Sequence, residues 1–168
     1  MYTALDVAVH TINYINDQGG TVSNLKLQKL LYFVQGFFLI LRDRPCFKDD
    51  IEAWDFGPVV PNVYFEFREY GSSSIPSIDS VTRLSVFDDF WGDMEFEDVP
   101  YEDRIKKTDA HLIHKIVDAF RKYSASSLVT ITHKHTPWIN AHNIGGRHNI
   151  ISNESITDYF KEEYLNDK

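Results

Sequence analysis

A chain of 168 residues with 43% hydrophobic side chains is long enough for one domain with a single core, and its net charge is −8. The single cysteine, Cys46, excludes an intramolecular disulfide and a cysteine-based zinc site, and it favours a reducing compartment such as the cytoplasm. The basic residues form no cluster of the kind that nucleic acid binding requires, so no nucleic acid partner is expected.

The first predicted helix covers residues 3–16. Its apolar residues recur at helical spacing along one stripe, which comprises Leu5, Ala8, Val9, Ile12 and Ile15. Thr3 and Asp6 have the spacing of a capping box, and Gly19 with Gly20 ends the segment. The stripe predicts that this helix packs against the next one.

The second predicted helix, residues 25–41, is the element around which the chain is expected to fold. Its sequence, LKLQKLLYFVQGFFLIL, is apolar on nearly every face from Leu30 onward, so other elements must surround it. Lys29 and Arg42 bound the apolar run, which is too short to cross a bilayer, so no membrane association is expected. Ser23 is the predicted N-cap. The N-terminus also lacks the basic and apolar regions of a signal peptide.

A short strand is predicted within residues 47–54, where apolar and aromatic residues alternate. The segment 57–61, with one glycine and two prolines, cannot continue a helix or a central strand. Pro61 is instead expected in the first turn of a helix over residues 62–70, which Gly71 ends.

Residues 72–103 are predicted to form an acidic connecting segment within one domain that spans residues 1–168. They contain nine acidic side chains and one arginine, a charge equal to that of the whole chain. Such charge density opposes compact packing. Because the segment also contains several aromatic residues, we expect a partly ordered loop or a short helix.

The second half of the chain is predicted to be mainly helical, with Pro137 and Trp138 ending its central helical region. The predicted elements are helices over residues 104–123 and 124–133, a loop over 141–148, a strand at 150–151 and a last helix over 155–164. The chain is therefore predicted to be a mainly α, compact helical domain around a central buried helix, with at most a small two- or three-stranded β element.

Large apolar and conformationally rigid residues gather in the irregular stretches. Interfaces favour such anchors, and loops present them at low entropic cost. The alternative is that Trp54 and Trp138 plug the core at corners of the fold. The predicted partner-binding residues are Trp54, Phe56, Gly57, Pro58, Val60, Pro61, Tyr64 and Trp138.

Histidines offer a different candidate site, in which imidazoles bind a metal such as zinc or iron. They are His111, His114, His133, His135, His142 and His148. No sequence motif fixes a ligand geometry among them, so we predict no metal and assign these histidines surface or capping roles. The sequence also lacks a nucleophile elbow, a P-loop and a dinucleotide-binding glycine motif, so no catalytic residue, cofactor or enzymatic activity is predicted.

Several short motifs occur together in a specific order and spacing. They are residues 26–33 (KLQKLLYF), 51–54 (IEAW), 57–61 (GPVVP), 63–64 (VY), 132–133 (TH) and 137–138 (PW). In combination they resemble the Panacea antitoxin domain, a family that includes GepA-like and SocA-like phage-associated proteins. The resemblance covers nearly the whole chain.

The resemblance implies an antitoxin that neutralises a cognate toxin by direct protein–protein contact, with the toxin encoded beside it. It also implies that SocA-like members act as proteolytic adaptors that deliver the toxin to a AAA+ protease, and it implies no catalytic residues. Two alternatives stay open at this point. One is a phage-associated regulatory protein that binds a host factor, and the other is a metalloenzyme built on the histidines.

Overall fold

The computed structural model of the protein describes residues 1–78, 104–144 and 148–166. These residues form seven α-helices: α1 (Ala4–Asp17), α2 (Asn24–Leu41), α3 (Pro61–Phe67), α4 (Lys107–Phe120), α5 (Ala125–Thr132), α6 (Thr136–Asn143) and α7 (Asn153–Phe160). Three short strands form one antiparallel sheet in the order β2-β1-β3: β1 (Ile51–Trp54), β2 (Gly57–Val59) and β3 (Asn149–Ile151). The predicted mainly α fold with a small sheet is confirmed.

Helix α2 occupies the centre of the fold, as its composition predicts. Helices α1, α3, α4, α5 and α7 and strand β2 all pack against it. Its fully buried apolar side chains are Leu27, Leu30, Leu31, Tyr32, Phe33, Val34 and Phe38. None of the helices within the described ranges is both long enough and apolar enough to cross a membrane.

Hydroxyl side chains cap four of the helices at their N-termini. Thr3 and Ser23 begin α1 and α2, and Ser124 and Ser152 begin α5 and α7. In each case the hydroxyl oxygen accepts a hydrogen bond from the backbone N–H three residues later, which satisfies a donor that has no partner inside the helix. The predicted caps at Thr3 and Ser23 are confirmed.

A buried glutamine on α2 fixes the turn that leads into the sheet. Gln35 Oε1 accepts hydrogen bonds from the backbone N–H groups of Cys46 (2.9 Å) and Phe47 (3.2 Å), and Gln35 Nε2 donates to the Phe47 carbonyl oxygen (3.0 Å). Cys46 is fully buried. Burial raises the pKa of its thiol well above the ordinary value, so Cys46 is a core residue and not a reactive nucleophile.

The two strands predicted from sequence pair with each other in the sheet. Ile51 lies opposite Ile151, and Glu52 lies opposite Ile150. Strand β2 was not predicted, because the segment 57–61 contains two prolines. It forms because β2 is an edge strand, where the missing N–H of Pro58 leaves no central ladder bond unmade.

The prediction that Pro137 and Trp138 end a helical region is wrong. Both residues lie in the first turn of α6, where the missing N–H of a proline costs no hydrogen bond. Residues 141–143, predicted as loop, are therefore helical, and α4 is shorter at both ends than the predicted helix over residues 104–123. The predicted acidic connection falls largely on residues 79–103, which lie outside the described residues.

Two histidines face each other between α1 and α4. His10 Nε2 lies 2.9 Å from His114 Nε2, and Tyr14 stacks on the His114 ring with ring centres 3.8 Å apart. The Tyr14 hydroxyl donates to Asp118 at 2.7 Å. When both rings are neutral, the Nε2–H of one imidazole can donate to the bare Nε2 of the other. When both rings are protonated, both Nε2 atoms carry a proton and two positive charges are in contact.

Acid is therefore expected to loosen this helix contact. Burial, and secondarily His114, lowers the pKa of His10 from 6.5 to about 4. The stabilisation from the neutral pair is complete above pH 6.5 and is lost as the pH falls towards 4. Urea unfolding at several pH values measures the effect. When the pH is lowered from 6.5 to 4, the free energy of unfolding of His10→Gln should fall by about 1 to 2 kcal/mol less than that of the wild type. His148→Gln, a change at an exposed histidine outside this helix contact, is the control. A His10→Gln curve parallel to the wild type would contradict the assignment.

Candidate partner-binding surface

The predicted partner-binding residues divide into an accessible and a buried group. Phe56 is 67% exposed in the turn between β1 and β2, and Trp54, Pro61 and Tyr64 are half-buried. The buried residues are Gly57, Pro58, Val60 and Trp138. A partner can therefore contact the first group, whereas the second group supports it from inside the fold.

Trp54 is the centre of a cluster of rings on the outer face of the sheet. Its indole packs edge-on against Tyr64 (ring centres 4.8 Å apart) and stacks on His148 (4.3 Å). Phe65 lies 6.0 Å from the indole. Trp54 Nε1 donates a hydrogen bond to Glu52 Oε2 at 2.7 Å, which fixes the orientation of the ring. We call Trp54, Tyr64, Phe65 and His148 the Trp54 cluster.

A cleft of about 170 Å³ opens beside the Trp54 cluster. Its lining residues are Leu25, Gln28, Trp54, Asp55, Phe56, Val59, Tyr64 and His148. The walls come from the first turns of α2, the β1–β2 hairpin, α3 and the residue that precedes β3. The start of α2, the hairpin with α3, and His148 are distant from one another in sequence, so the cleft exists only in the folded chain.

Two amide side chains on α2 hold the hairpin and α3 in place. Gln28 Oε1 accepts a hydrogen bond from the backbone N–H of Val60 at 2.9 Å. Gln28 Nε2 donates to Asn24 Oδ1 at 2.9 Å, and Asn24 Nδ2 donates to the Tyr64 carbonyl oxygen at 3.0 Å. These hydrogen bonds connect the backbone on both sides of Pro61 to the central helix. The backbone of Tyr64 is therefore held in a fixed position.

Lys29 connects α2 to strand β2 in the interior of the fold. Its side chain is fully buried, and Nζ donates a hydrogen bond to the Pro58 carbonyl oxygen at 3.0 Å. Burial lowers the pKa of Lys29 to about 7. Gly57, with φ of +108°, lies against Lys29, and a side chain there would place its Cβ 2.8 Å from Lys29 Cε and 2.9 Å from Thr132 Oγ1. Glycine is therefore required by both the backbone conformation and the close packing.

Trp138 and two histidines support the β1–β2 turn from the side of α6. Trp138 Nε1 donates to the Trp54 carbonyl oxygen at 2.8 Å. The indole stacks between His133 and His142, with ring centres 4.2 and 4.5 Å away. His133 Nε2 lies 3.0 Å from the Asp55 carbonyl oxygen, and His142 Nε2 lies 3.1 Å from Asp55 Oδ1. Trp138 therefore positions the turn and does not itself form the outer surface.

The six histidines considered as metal ligands do not form one site. His133 and His142 contact Asp55, His148 stacks on Trp54, and His114 pairs with His10 as described above. His135 is buried, with Nδ1 3.0 Å from the Tyr32 hydroxyl oxygen, and His111 is exposed. Within residues 1–78, 104–144 and 148–166, no group of three or more histidine, cysteine or acidic side chains is arranged to hold a metal.

Several contributors to this surface were not among the predicted partner-binding residues, including His148 in the Trp54 cluster and Asp55 in the cleft wall. Phe65 is 53% exposed and extends the Trp54 cluster, while Ile150 is 58% exposed on the strand beside β1. Leu25 lines the cleft from α2. The position of Phe65, next to Tyr64 in a short helix, was a usable signal. No local sequence pattern indicated Leu25 or Ile150, because their neighbours in the surface come from distant parts of the chain.

Residues 27–139 match the protein family described as Antitoxin SocA-like, Panacea domain. The matched range contains most of α2 and all of the hairpin, α3, α4 and α5, together with Trp138. Leu25 and His148, which line the cleft, lie outside it. The match therefore covers the scaffold of the candidate surface and part of its rim.

A curated relative gives the same family. The protein named Antitoxin SocA from Caulobacter vibrioides (strain NA1000 / CB15N) is 36% identical over 119 residues. The alignment covers 70% of this chain, which spans 58% of the length of the relative. No solved structure matches the chain significantly. On the match across residues 27–139 and on this relative, the chain belongs to the family described as Antitoxin SocA-like, Panacea domain.

Proposed function

We propose that this protein is an antitoxin that neutralises a protein toxin by binding it directly, as a non-enzymatic cytoplasmic protein. The observation that carries the proposal is the Trp54 cluster beside the exposed Phe56. Aromatic side chains held in fixed orientations by neighbouring hydrogen bonds are typical anchors of protein interfaces. Membership of the family, and the name of the Caulobacter relative, support the antitoxin role.

The proposed partner is the product of a neighbouring gene. By analogy with SocA-like proteins, the complex is also proposed to present the toxin to a AAA+ protease. The binding surface comprises Trp54, Phe56, Pro61 and Tyr64, and the buried Gly57, Pro58, Val60 and Trp138 maintain its shape. No step of this function requires a cofactor or a catalytic group.

Growth rescue in a bacterial host tests the proposal. Each neighbouring gene is induced with and without this protein, and antitoxin activity predicts one neighbour whose toxicity the protein abolishes. The half-life of that toxin then separates two modes of action. An adaptor shortens the half-life, whereas a stoichiometric inhibitor leaves it unchanged. If no neighbour is toxic, the antitoxin proposal fails, and a regulatory interaction with a host factor takes its place.

Substitutions on the surface test where the toxin binds. Phe56→Ala and Tyr64→Ala are expected to weaken toxin binding by about tenfold or more and to reduce rescue, because both remove accessible anchor rings. Leu41→Ala is a matched control, since Leu41 is 45% exposed at the far end of α2. Calorimetry with purified toxin and circular dichroism of each variant separate lost binding from lost folding. Full affinity in both ring variants would place the interface elsewhere.

A further inference from the structure

The volume of the cleft indicates what can occupy it. Pockets that bind cofactors or drug-sized ligands have volumes of roughly 300–1,000 Å³. The cleft beside the Trp54 cluster has about 170 Å³, which is too small for such a ligand and suits one bulky apolar side chain. Leu25, Val59 and the rings of Trp54 and Tyr64 make its lining largely apolar, so a hydrocarbon or aromatic group is the matching occupant.

The surface around the cleft is apolar and open. Along β1, Ile51 and Ala53 are buried while Glu52 and Trp54 face outward. Ile150, opposite Glu52 on β3, shares this outward face and is 58% exposed. Phe56 and Phe65, at 67% and 53% exposure, flank the cleft region. Exposed apolar side chains grouped in this way indicate an interaction site, whereas single exposed apolar side chains are common on any protein surface.

The same region carries a local excess of negative charge. Residues 48–66 contain five carboxylates and one lysine. The whole chain has 17 basic and 25 acidic residues, of which one basic and nine acidic residues lie in the segment 72–103. The rest of the chain therefore has 16 basic and 16 acidic residues. The excess around the hairpin is therefore a local feature. Asp55, which lines the cleft, has a side chain 69% exposed. Arg68 lies beside this region, with its guanidinium 5.7 Å from the centre of the Phe65 ring.

We propose that this cleft receives one bulky apolar side chain of the toxin, taken from a segment in which lysine or arginine flanks that side chain. The apolar group fills the space beside Trp54 and Tyr64, and the flanking cations face Glu52 and Asp55, the two carboxylates of the hairpin. This proposal rests on the antitoxin function proposed above and specifies the chemistry of the segment that the antitoxin recognises.

Selection from a random peptide library tests this chemistry, and the selection itself does not require the toxin. A phage-displayed library of twelve-residue peptides is selected on the immobilised full-length protein. The expected peptides carry an aromatic residue, leucine or methionine next to lysine or arginine, and they compete with the toxin found by rescue. Enriched peptides without basic residues, or peptides that do not compete with the toxin, would overturn the proposal.

A substitution that fills the cleft tests the proposal, together with the same substitution at a distant position. Leu25→Trp enlarges a lining residue without removing any ring, and it is expected to weaken selected peptides and toxin by about tenfold or more. Leu41→Trp makes the same change at the opposite end of the same helix and should leave binding unchanged. Equal loss in both variants, or in neither, would overturn the proposal.

The contribution of charge is tested at Asp55. Asp55→Asn keeps an oxygen that can accept the hydrogen bond from His142 but removes the negative charge. It is expected to slow association with the selected peptides about threefold at low salt, and this difference should shrink as salt is added. Glu162→Gln, an equal change of charge on the exposed C-terminal turn, should have no such effect. An association rate insensitive to Asp55→Asn would overturn the role of the flanking cations.

The outcomes separate this inference from the antitoxin function. If Leu25→Trp rescues growth as well as the wild type, the cleft is not the recognition site while the antitoxin function stands. If no neighbouring gene is toxic, the antitoxin function fails, and the toxin-recognition proposal fails with it. A concentration-dependent dimer, detected by sedimentation and abolished by Leu25→Trp alone, would identify a second copy of this chain as the occupant and overturn the proposal.

Discussion

Replacing Gly36 with alanine is expected to destabilise the protein by about 3 kcal/mol, although the same change stabilises an ordinary helix by roughly 1 kcal/mol. A Cβ at position 36 would lie 2.2 Å from Phe160 Cε1 and 2.3 Å from Phe160 Cζ. The Phe160 ring is fully buried and is surrounded by the rings of Tyr32, Phe37 and Tyr164, so it cannot move aside. The cost is overpacking between α2 and α7.

The midpoint of urea unfolding measures this effect, and a second substitution tests its cause. Phe160→Leu alone removes part of a buried ring and is also destabilising. In the double variant the smaller leucine leaves room for the new methyl group, so the combined loss should be smaller than the sum of the two single losses. Simple additivity, or a Gly36→Ala variant as stable as the wild type, would contradict the contact.

Replacing Lys29 with methionine is expected to remove a rise of stability with pH. Burial lowers the pKa of Lys29 from 10.5 to about 7, so between these values the unfolded chain is protonated at this position while the folded chain is largely neutral. The folded state then binds fewer protons, and the free energy of unfolding rises with pH by up to about 1.4 kcal/mol per unit. Methionine has no proton to lose, so this contribution should vanish.

The variant should gain most over the wild type at or below pH 7, where folding carries the full cost of the buried amine. The lost hydrogen bond to the Pro58 carbonyl oxygen reduces that gain. Urea unfolding from pH 6 to 10 measures the difference, with the exposed Lys134→Met as the control. Equal slopes for wild type and Lys29→Met above pH 7 would show that Lys29 is charged in the folded protein.

Sequence patterns predicted the helices where one face is continuously apolar. The stripe of α1 and the nearly uniform apolar surface of α2 can be buried in only one way, and the capping residues Thr3 and Ser23 fix where these helices begin. The patterns failed at prolines. Pro58 lies in an edge strand and Pro137 in the first turn of a helix, and in both places a missing N–H costs nothing. Composition alone does not reveal such positions.

The candidate surface was predicted in its residue types but only partly in its arrangement. Aromatic and proline residues around the segment 57–61 indicated an interaction region. Local sequence did not show that Phe56 is exposed while Trp138 lies behind the turn, because the difference depends on where α6 packs. Nor did it show the contribution of Leu25, which approaches Tyr64 only when α2 and α3 are packed together.

The sequence by itself determined the buried central helix, the mainly helical class and the family, because these depend on local periodicity and on motifs that are read along the chain. Only the tertiary structure showed that Gln28 and Lys29 form hydrogen bonds with the backbone around β2. It also showed that a cleft large enough for one side chain lies beside Trp54. Hydrogen bonds from α2 to segments about thirty residues away create that arrangement. Their partners are chosen by packing in three dimensions, which no local pattern encodes.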